Sequence, residues 1–282
     1  MNRIGVLIRF APDRQMEEEF RRARDMGFNC CQLCCWEPWI YTEENAKMLR
    51  RISDETGVVI TALWAGWSGP KEWNFRYGPA TLGLVPPAYR DSRLAELEKG
   101  SRFAQWMGVS DVITHVGFLP ENPDIPDFIG TVAALRTLCK TMKSRGQYFL
   151  FETGQETPVT MLRTIEAIGL DNLGINFDTA NLLLYGKANS ADALDVFGKY
   201  VRNTHCKDGE YPTEGNNLGL QKPLGEGRAD LPLIFRKLKA LGYEGPYIIE
   251  REISGEKQIA DIKEAKIYIE KILKEIEKRD NQ

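Results

Sequence analysis

Short apolar runs alternate with longer stretches of helical periodicity from one end of this chain to the other, and each run carries a polar or aromatic residue at or next to its end. Eight runs read as strands, at residues 3–9, 28–36, 58–65, 111–116, 147–152, 173–178, 201–206 and 247–251. Helical patterns begin near Asp13, Thr42, Ala88, Asp127, Thr157, Ser190, Asp230 and Ser254. Gly27, Gly57, Gly108, Gly146, Gly169, Gly198 and Gly242 each stand where a helix should stop shortly before the next strand, a position where a left-handed C-cap favours glycine. Asp13, Thr42 and Ser190 read as N-caps, and Asp127 and Asp230 suit the same role, because short polar side chains accept from the open N–H groups of a first turn. The last helix carries Ile259, Ile262, Ala265, Ile269, Ile272, Leu273 and Ile276 on one stripe with charges elsewhere, as an outer helix packed on a sheet should.

Strands alternating with helices call for a parallel sheet, and eight such units in a chain of this length close into a (β/α)8 TIM barrel. Residues 1–282 are therefore expected to form one α/β barrel domain. An open doubly wound sheet fits less well: no G-x-G-x-x-G follows the first strand, and the polar strand endings are spread along the chain instead of gathered at one switch point. Two connections are long. Residues 66–87, after strand three, are rich in Trp, Tyr, Phe, Gly and Pro and read as a substrate-covering lid, a sugar-stacking wall of Trp67, Trp73 and Phe75, or a subunit contact. Residues 207–228, after strand seven, end in the glycine-rich PLGEGRAD but lack the G-K-[ST] of a nucleotide loop.

Composition narrows the function classes. The chain has 282 residues, 43% of them hydrophobic, which is enough for one sizeable core. Lys and Arg total 37 against 40 Asp and Glu, with no basic stripe, so a nucleic-acid partner is not expected. The first apolar run is too short and too charged for a signal peptide, and no apolar segment approaches the ~20 residues of a membrane span. A cytoplasmic protein without a membrane partner is the expectation, and a homo-oligomer is left open. Six cysteines fit a reducing compartment, and four of them fall in CCQLCCW. Cys31 and Cys34 form a C-x-x-C, but residues three apart on a strand face opposite sides, so packing is the expected role.

In a barrel all eight strand ends face one bowl. Here they deliver Arg9, Trp36 with Glu37, Trp64, His115, Glu152, Asp178, His205 with Lys207, and Glu250. Buried charges are costly unless they are paired or bind a metal. Glu152, Asp178, His205 and Glu250, from strands five to eight, could converge as a hard, oxygen-rich metal site.

The segments ETGQE, NFDTAN, HCKD, PLGEG before a helix, and YEGPYIIERE resemble the xylose isomerase-like sugar (phosphate) isomerase/epimerase superfamily, in order and on the right strands. The resemblance implies one divalent metal ion (Mn, Mg, Co or Zn) held by Glu152, Asp178, His205 and Glu250. It also implies that Glu152 and Glu250 double as acid and base for proton transfer on a sugar through a metal-bound enediolate. His115 and Lys207 are then candidates to hydrogen-bond substrate oxygens, with Asn181, Glu156, Arg9, Trp36 and Trp67 as further substrate-binding positions. For Lys207, an ion pair with Asp208 is the competing expectation. The chain departs from its relatives at Asn181, where epimerases of the superfamily often carry histidine, and no arginine stands in 207–211. The sparse Arg and Lys at the strand ends point to an unphosphorylated sugar. A metal-dependent lyase or hydrolase acting on keto-glycosides would use the same residues and is the alternative. An endonuclease IV-like nuclease, which the motifs also resemble, needs several histidines, whereas this chain has only His115 and His205.

Overall fold

The computed structural model describes residues 3–280. Its strands are β1 (Ile4–Arg9), β2 (Cys30–Cys35), β3 (Val59–Ala65), β4 (Asp111–Thr114), β5 (Tyr148–Glu152), β6 (Leu173–Asp178), β7 (Val201–Cys206), the two-residue β8 (Asp208–Gly209) and β9 (Gln221–Lys222), and β10 (Tyr247–Ile249). All but β8 and β9 are parallel and close into a barrel in the order β1, β10, β7, β6, β5, β4, β3, β2. With helices on its outside, this is a single (β/α)8 TIM barrel. The eight barrel strands coincide with the eight apolar runs of the sequence, slightly shortened: β4 ends at Thr114 and β10 at Ile249, so His115 and Glu250 lie just beyond their strands.

The helix signals held in most places and failed in a few. Thr42 caps the helix Glu43–Thr56 by accepting from Asn45 N, and Asp230, at φ 49°, caps Leu231–Ala240 by accepting from Leu233 N. The first helix starts only at Met16, with Gln15 at its cap, so Asp13 lies in the preceding turn. Asn189 takes the role expected of Ser190, because its Oδ1 reaches the N–H groups of Ala191 and Asp192. Asp127 follows Pro126 inside the first turn of Pro126–Ser144 and caps nothing. Gly198 is not a left-handed stop: at φ −54° it continues into a 3-10 turn, and a Cβ there would meet Leu241 Cδ1 at 2.4 Å.

Two apolar layers hold the barrel. The larger lies between strands and helices, with Phe20, Leu49, Phe103, Phe149, Phe177 and Phe235 fully buried. Each such side chain contributes about 1.5–3 kcal/mol of burial. The smaller, inside the barrel, joins Ala62, Trp64, Ile113 and Leu150. Cys31 packs in the outer layer and Cys34 against the inner one, so the C-x-x-C pair faces two compartments. Burial pushes both thiols well above their usual range, and all six cysteines are free.

Both long connections are tied down. Residues 66–87 include the short helix Gly78–Thr81 and wrap around the buried Arg93, whose guanidinium donates to the carbonyls of Ser68, Pro70, Thr81 and Gly83 at 2.7–3.2 Å. Residues 207–228 fold over the antiparallel β8–β9 pair, and one carboxylate organises them: Asp208 accepts the backbone N–H groups of Gly209, Gly225, Gly227 and Ala229. The two meet where Phe75 N donates to Asn216 O. Among the described residues, no helix is long and apolar enough to cross a membrane.

Candidate metal centre and substrate cavity

Glu152, Asp178, His205 and Glu250 leave four neighbouring strand ends on the same face of the barrel. One ligand atom from each lies within 4.8 Å of every other. His205 Nδ1 sits 3.1 Å from Glu152 Oε1, 3.2 Å from Glu250 Oε2 and 4.0 Å from Asp178 Oδ2. Asp178 is held by its own turn: Oδ1 accepts from the N–H groups of Ala180 and Asn181, both at 2.8 Å, which leaves Oδ2 facing the cluster. That oxygen is buried and accepts no hydrogen bond.

Lys207 stands beside them, almost fully buried. Its ammonium lies 2.9 Å from Glu250 Oε2, 2.9 Å from Glu252 Oε2 and 3.3 Å from Asp178 Oδ2, and donates to Asn181 Oδ1 at 3.3 Å. The expected pair with Asp208 does not form, because that carboxylate is spent on the backbone of the following loop.

The charges settle accordingly. Burial pushes the Asp178 carboxyl up to about 8 despite Lys207, and burial likewise raises Glu152 against the pull of His205. For Glu250, burial works upward, but Lys207 and His205 outweigh it and hold the carboxyl well below its usual range. Burial also disfavours the charged imidazole of His205, yet Glu152 and Glu250 together raise it well above its ordinary value. Two glutamates that hold a proton on the imidazole between them, beside a buried Asp178 oxygen that accepts no hydrogen bond and faces only the Lys207 ammonium and His205, match a divalent cation. Carboxylate oxygens with one imidazole nitrogen are the donor set that hard and borderline divalent metals take.

Above the cluster opens a cavity of about 600 Å³, lined by Arg9, Trp36, Trp64, Trp73, His115, Glu152, Asn181, Tyr185, Lys207, Glu250 and Glu252 among others. One wall is aromatic: the Trp36 ring lies 4.5 Å from Trp64 and 5.8 Å from Trp73, and Trp73 lies 5.2 Å from the His115 ring. The His115 ring is buried, with Nδ1 unpartnered. Burial and the nearby Lys207 push it down to about 3, so it is neutral at pH 7. Arg9 lines the mouth, paired with Glu37 at 2.9 Å.

Two expected substrate positions fall elsewhere. Trp67 is fully buried under the Arg93 guanidinium, 4.0 Å from its ring centroid, because residues 66–87 fold around that arginine. Glu156 turns back to accept from Gly154 N at 3.1 Å and does not line the cavity. Phe75 also leaves the wall and packs on Tyr185. In their place stand Tyr185 and Glu252, which no strand-end pattern marks. Gln32, Asn176 and Asn203, buried amides in the middle of β2, β6 and β7, carry no strand-end signal either. A lone amide inside an apolar strand was the available signal for Gln32 and Asn176, whereas β7, VRNTHC, is too polar to single out Asn203.

Residues 20–272 match the family model described as xylose isomerase-like TIM barrel. A xylose isomerase domain protein from Planctomyces limnophilus superposes with a TM-score of 0.90 at 32% identity, over 98% of this chain and 99% of that one. A xylose isomerase-like TIM barrel protein from Mycobacterium smegmatis in complex with magnesium has a TM-score of 0.73 at 17% identity, over 98% of each chain. L-ribulose 3-epimerase has a TM-score of 0.76 at 18% identity, over 100% of this chain and 97% of that one. The chain belongs to the xylose isomerase-like TIM barrel family.

Proposed function

We propose that this protein is a divalent-metal-dependent sugar isomerase or epimerase that works by proton transfer at a carbon beside a carbonyl. The observation that carries the reading is the convergence of Glu152, Asp178, His205 and Glu250 beneath an aromatic-walled cavity. Those four residues would hold the cation, which when bound supplies Lewis-acid polarisation of a carbonyl and acidifies the neighbouring C–H.

The chain's own groups do the rest. Glu152 and Glu250 border the cavity from strands on either side of His205 and serve as the proton-accepting and proton-returning carboxylates. Lys207 keeps Glu250 ionised, ready to accept a proton. His115, neutral and with Nδ1 free, and Asn181, whose amide lines the cavity, bind substrate hydroxyls. Trp36, Trp64 and Trp73 present flat apolar faces to the C–H face of a sugar ring and exclude water. Arg9 is paired with Glu37 and Lys207 with three carboxylates, which favours an unphosphorylated substrate. The similarity in fold to L-ribulose 3-epimerase supports a sugar as that substrate.

The test is a panel of ketoses and aldoses incubated with Mn²⁺-loaded protein in D₂O. Deuterium should enter at the carbon next to the carbonyl of at least one sugar, with product formed at a comparable rate. Product without exchange would point to a hydride shift and remove the proton-transfer mechanism. No product and no exchange across the panel, with metal bound, would overturn the reading.

A further inference from the structure

Gln32 is a fully buried amide in the otherwise apolar strand β2, and its side chain crosses the barrel. Nε2 donates to Asn176 Oδ1 at 3.0 Å and to Asn203 Oδ1 at 3.3 Å, while Oε1 lies 2.6 Å from His205 Nε2. Beyond these partners the chain of bonds continues both ways. Asn176 Nδ2 donates to Glu152 Oε2, and Asn203 Nδ2 donates at 2.7 Å to Asp111 Oδ2. Asp111, at the start of β4, is paired in turn with Arg202 at 3.1 Å.

The direction of every bond in this network follows from its two ends. A metal-binding carboxylate at Glu152 only accepts, and Asp111 faces an arginine that only donates, so it accepts as well. Each asparagine must therefore turn its NH₂ toward its carboxylate and its oxygen toward Gln32. Gln32 must answer two oxygens with its own NH₂, which leaves its carbonyl facing His205 Nε2. An imidazole nitrogen facing a carbonyl carries the proton. Nδ1 is then the nitrogen whose lone pair is free for Glu152, Asp178 and Glu250 to share with a cation.

We infer that Gln32 is a positioning residue that holds His205 in its Nε2–H tautomer, with Asp111 at the far end of the barrel setting the polarity through Asn203. The inference rests on the metal-centre reading of the four ligands. A neutral imidazole left to itself has two tautomers, and only one places a lone pair at this site. Partners of metal ligands that fix tautomer and ring orientation are worth about 10–100-fold in metal affinity.

The chain has only two histidines, so the side-chain nitrogen spectrum is sparse. Long-range ¹H–¹⁵N correlation on wild-type protein loaded with ¹¹³Cd²⁺, with His115→Gln to assign the signals, should show His205 protonated at Nε2 and coupled to cadmium through Nδ1. Calorimetric titration with Mn²⁺ should give Gln32→Met an affinity about 10–100-fold below wild type. Asp111→Asn, whose new amide can turn either way and so unsets the polarity, should lose affinity in the same direction without touching the site. Cadmium coupled to Nε2 would overturn the inference, as would Gln32→Met that folds and binds Mn²⁺ like wild type. The wild-type spectrum decides even where Gln32→Met fails to fold. Wild-type protein that binds neither cation would instead remove the metal-centre reading, and this inference with it.

Discussion

Oε2 of Glu250 lies 2.9 Å from the Lys207 ammonium and 3.2 Å from His205 Nδ1, so one carboxylate oxygen is shared between a fixed cation and a candidate metal ligand. Lys207 therefore does two opposed things. It keeps Glu250 ionised, and it occupies part of the negative field a divalent metal would use.

Lys207→Met should consequently separate binding from catalysis. Removing the ammonium takes a unit positive charge from beside the cation, and with each ~1.4 kcal/mol of relieved repulsion worth tenfold, Mn²⁺ binding should tighten by about tenfold or more. Turnover should fall, because Glu250 loses the partner that lowers its proton affinity. Calorimetry and steady-state rates on one preparation check both. Weaker metal binding in this variant would show that Lys207 builds the site instead of competing with it.

Metal affinity should rise with pH. Asp178 is pushed up to about 8 by burial and His205 is raised well above its usual value by Glu152 and Glu250, so both hold protons at neutral pH that a cation must displace. The Asp178 part of the gain is complete once the pH passes about 8, whereas that of His205 continues above it. Titrations between pH 6 and 9 in buffers of different ionisation enthalpy should show tighter binding at higher pH and proton release on binding. An affinity independent of pH over that range would contradict this electrostatic account.

Glu152→Gln and Glu250→Gln retain an oxygen of similar shape but cannot take a proton at neutral pH. Each should lower exchange of the substrate C–H with D₂O by about 10²–10⁴-fold, and saturating metal should not restore it. Asp178→Asn, assigned to binding only, should instead weaken metal affinity and regain part of its activity in excess Mn²⁺. Near-normal exchange in both glutamine variants with metal bound would move the proton-transfer role to another group, His115 first.

Arg93→Met should loosen the wall that carries Trp73. Four loop carbonyls lose a charged donor in a buried place, a loss of about 2–4 kcal/mol in stability. The lower Tm should come with a KM raised more than kcat is lowered, since the candidate metal ligands are untouched. A variant with wild-type Tm would mean that the loop is held by other contacts.

The strands, the glycine stops other than Gly198, and the four clustered side chains were readable in the sequence because each rests on a local rule. Strand periodicity, the left-handed C-caps at Gly57, Gly108 and Gly169, and an acid or histidine at the end of an apolar run involve neighbours along the chain. What needed the closed barrel was which side chains meet across it. Gln32 meets Asn176 and His205 from 144 and 173 residues away, and no spacing along the chain encodes that. Lys207 turned inward to three carboxylates because Asp208 was already engaged by four backbone N–H groups. Trp67 reads from sequence like Trp73, yet the fold of residues 66–87 around Arg93 buries the one and exposes the other to the cavity. Periodicity assigns a residue to a strand and a face, whereas partners are chosen by side-chain direction in three dimensions, where burial and unmet hydrogen bonds decide.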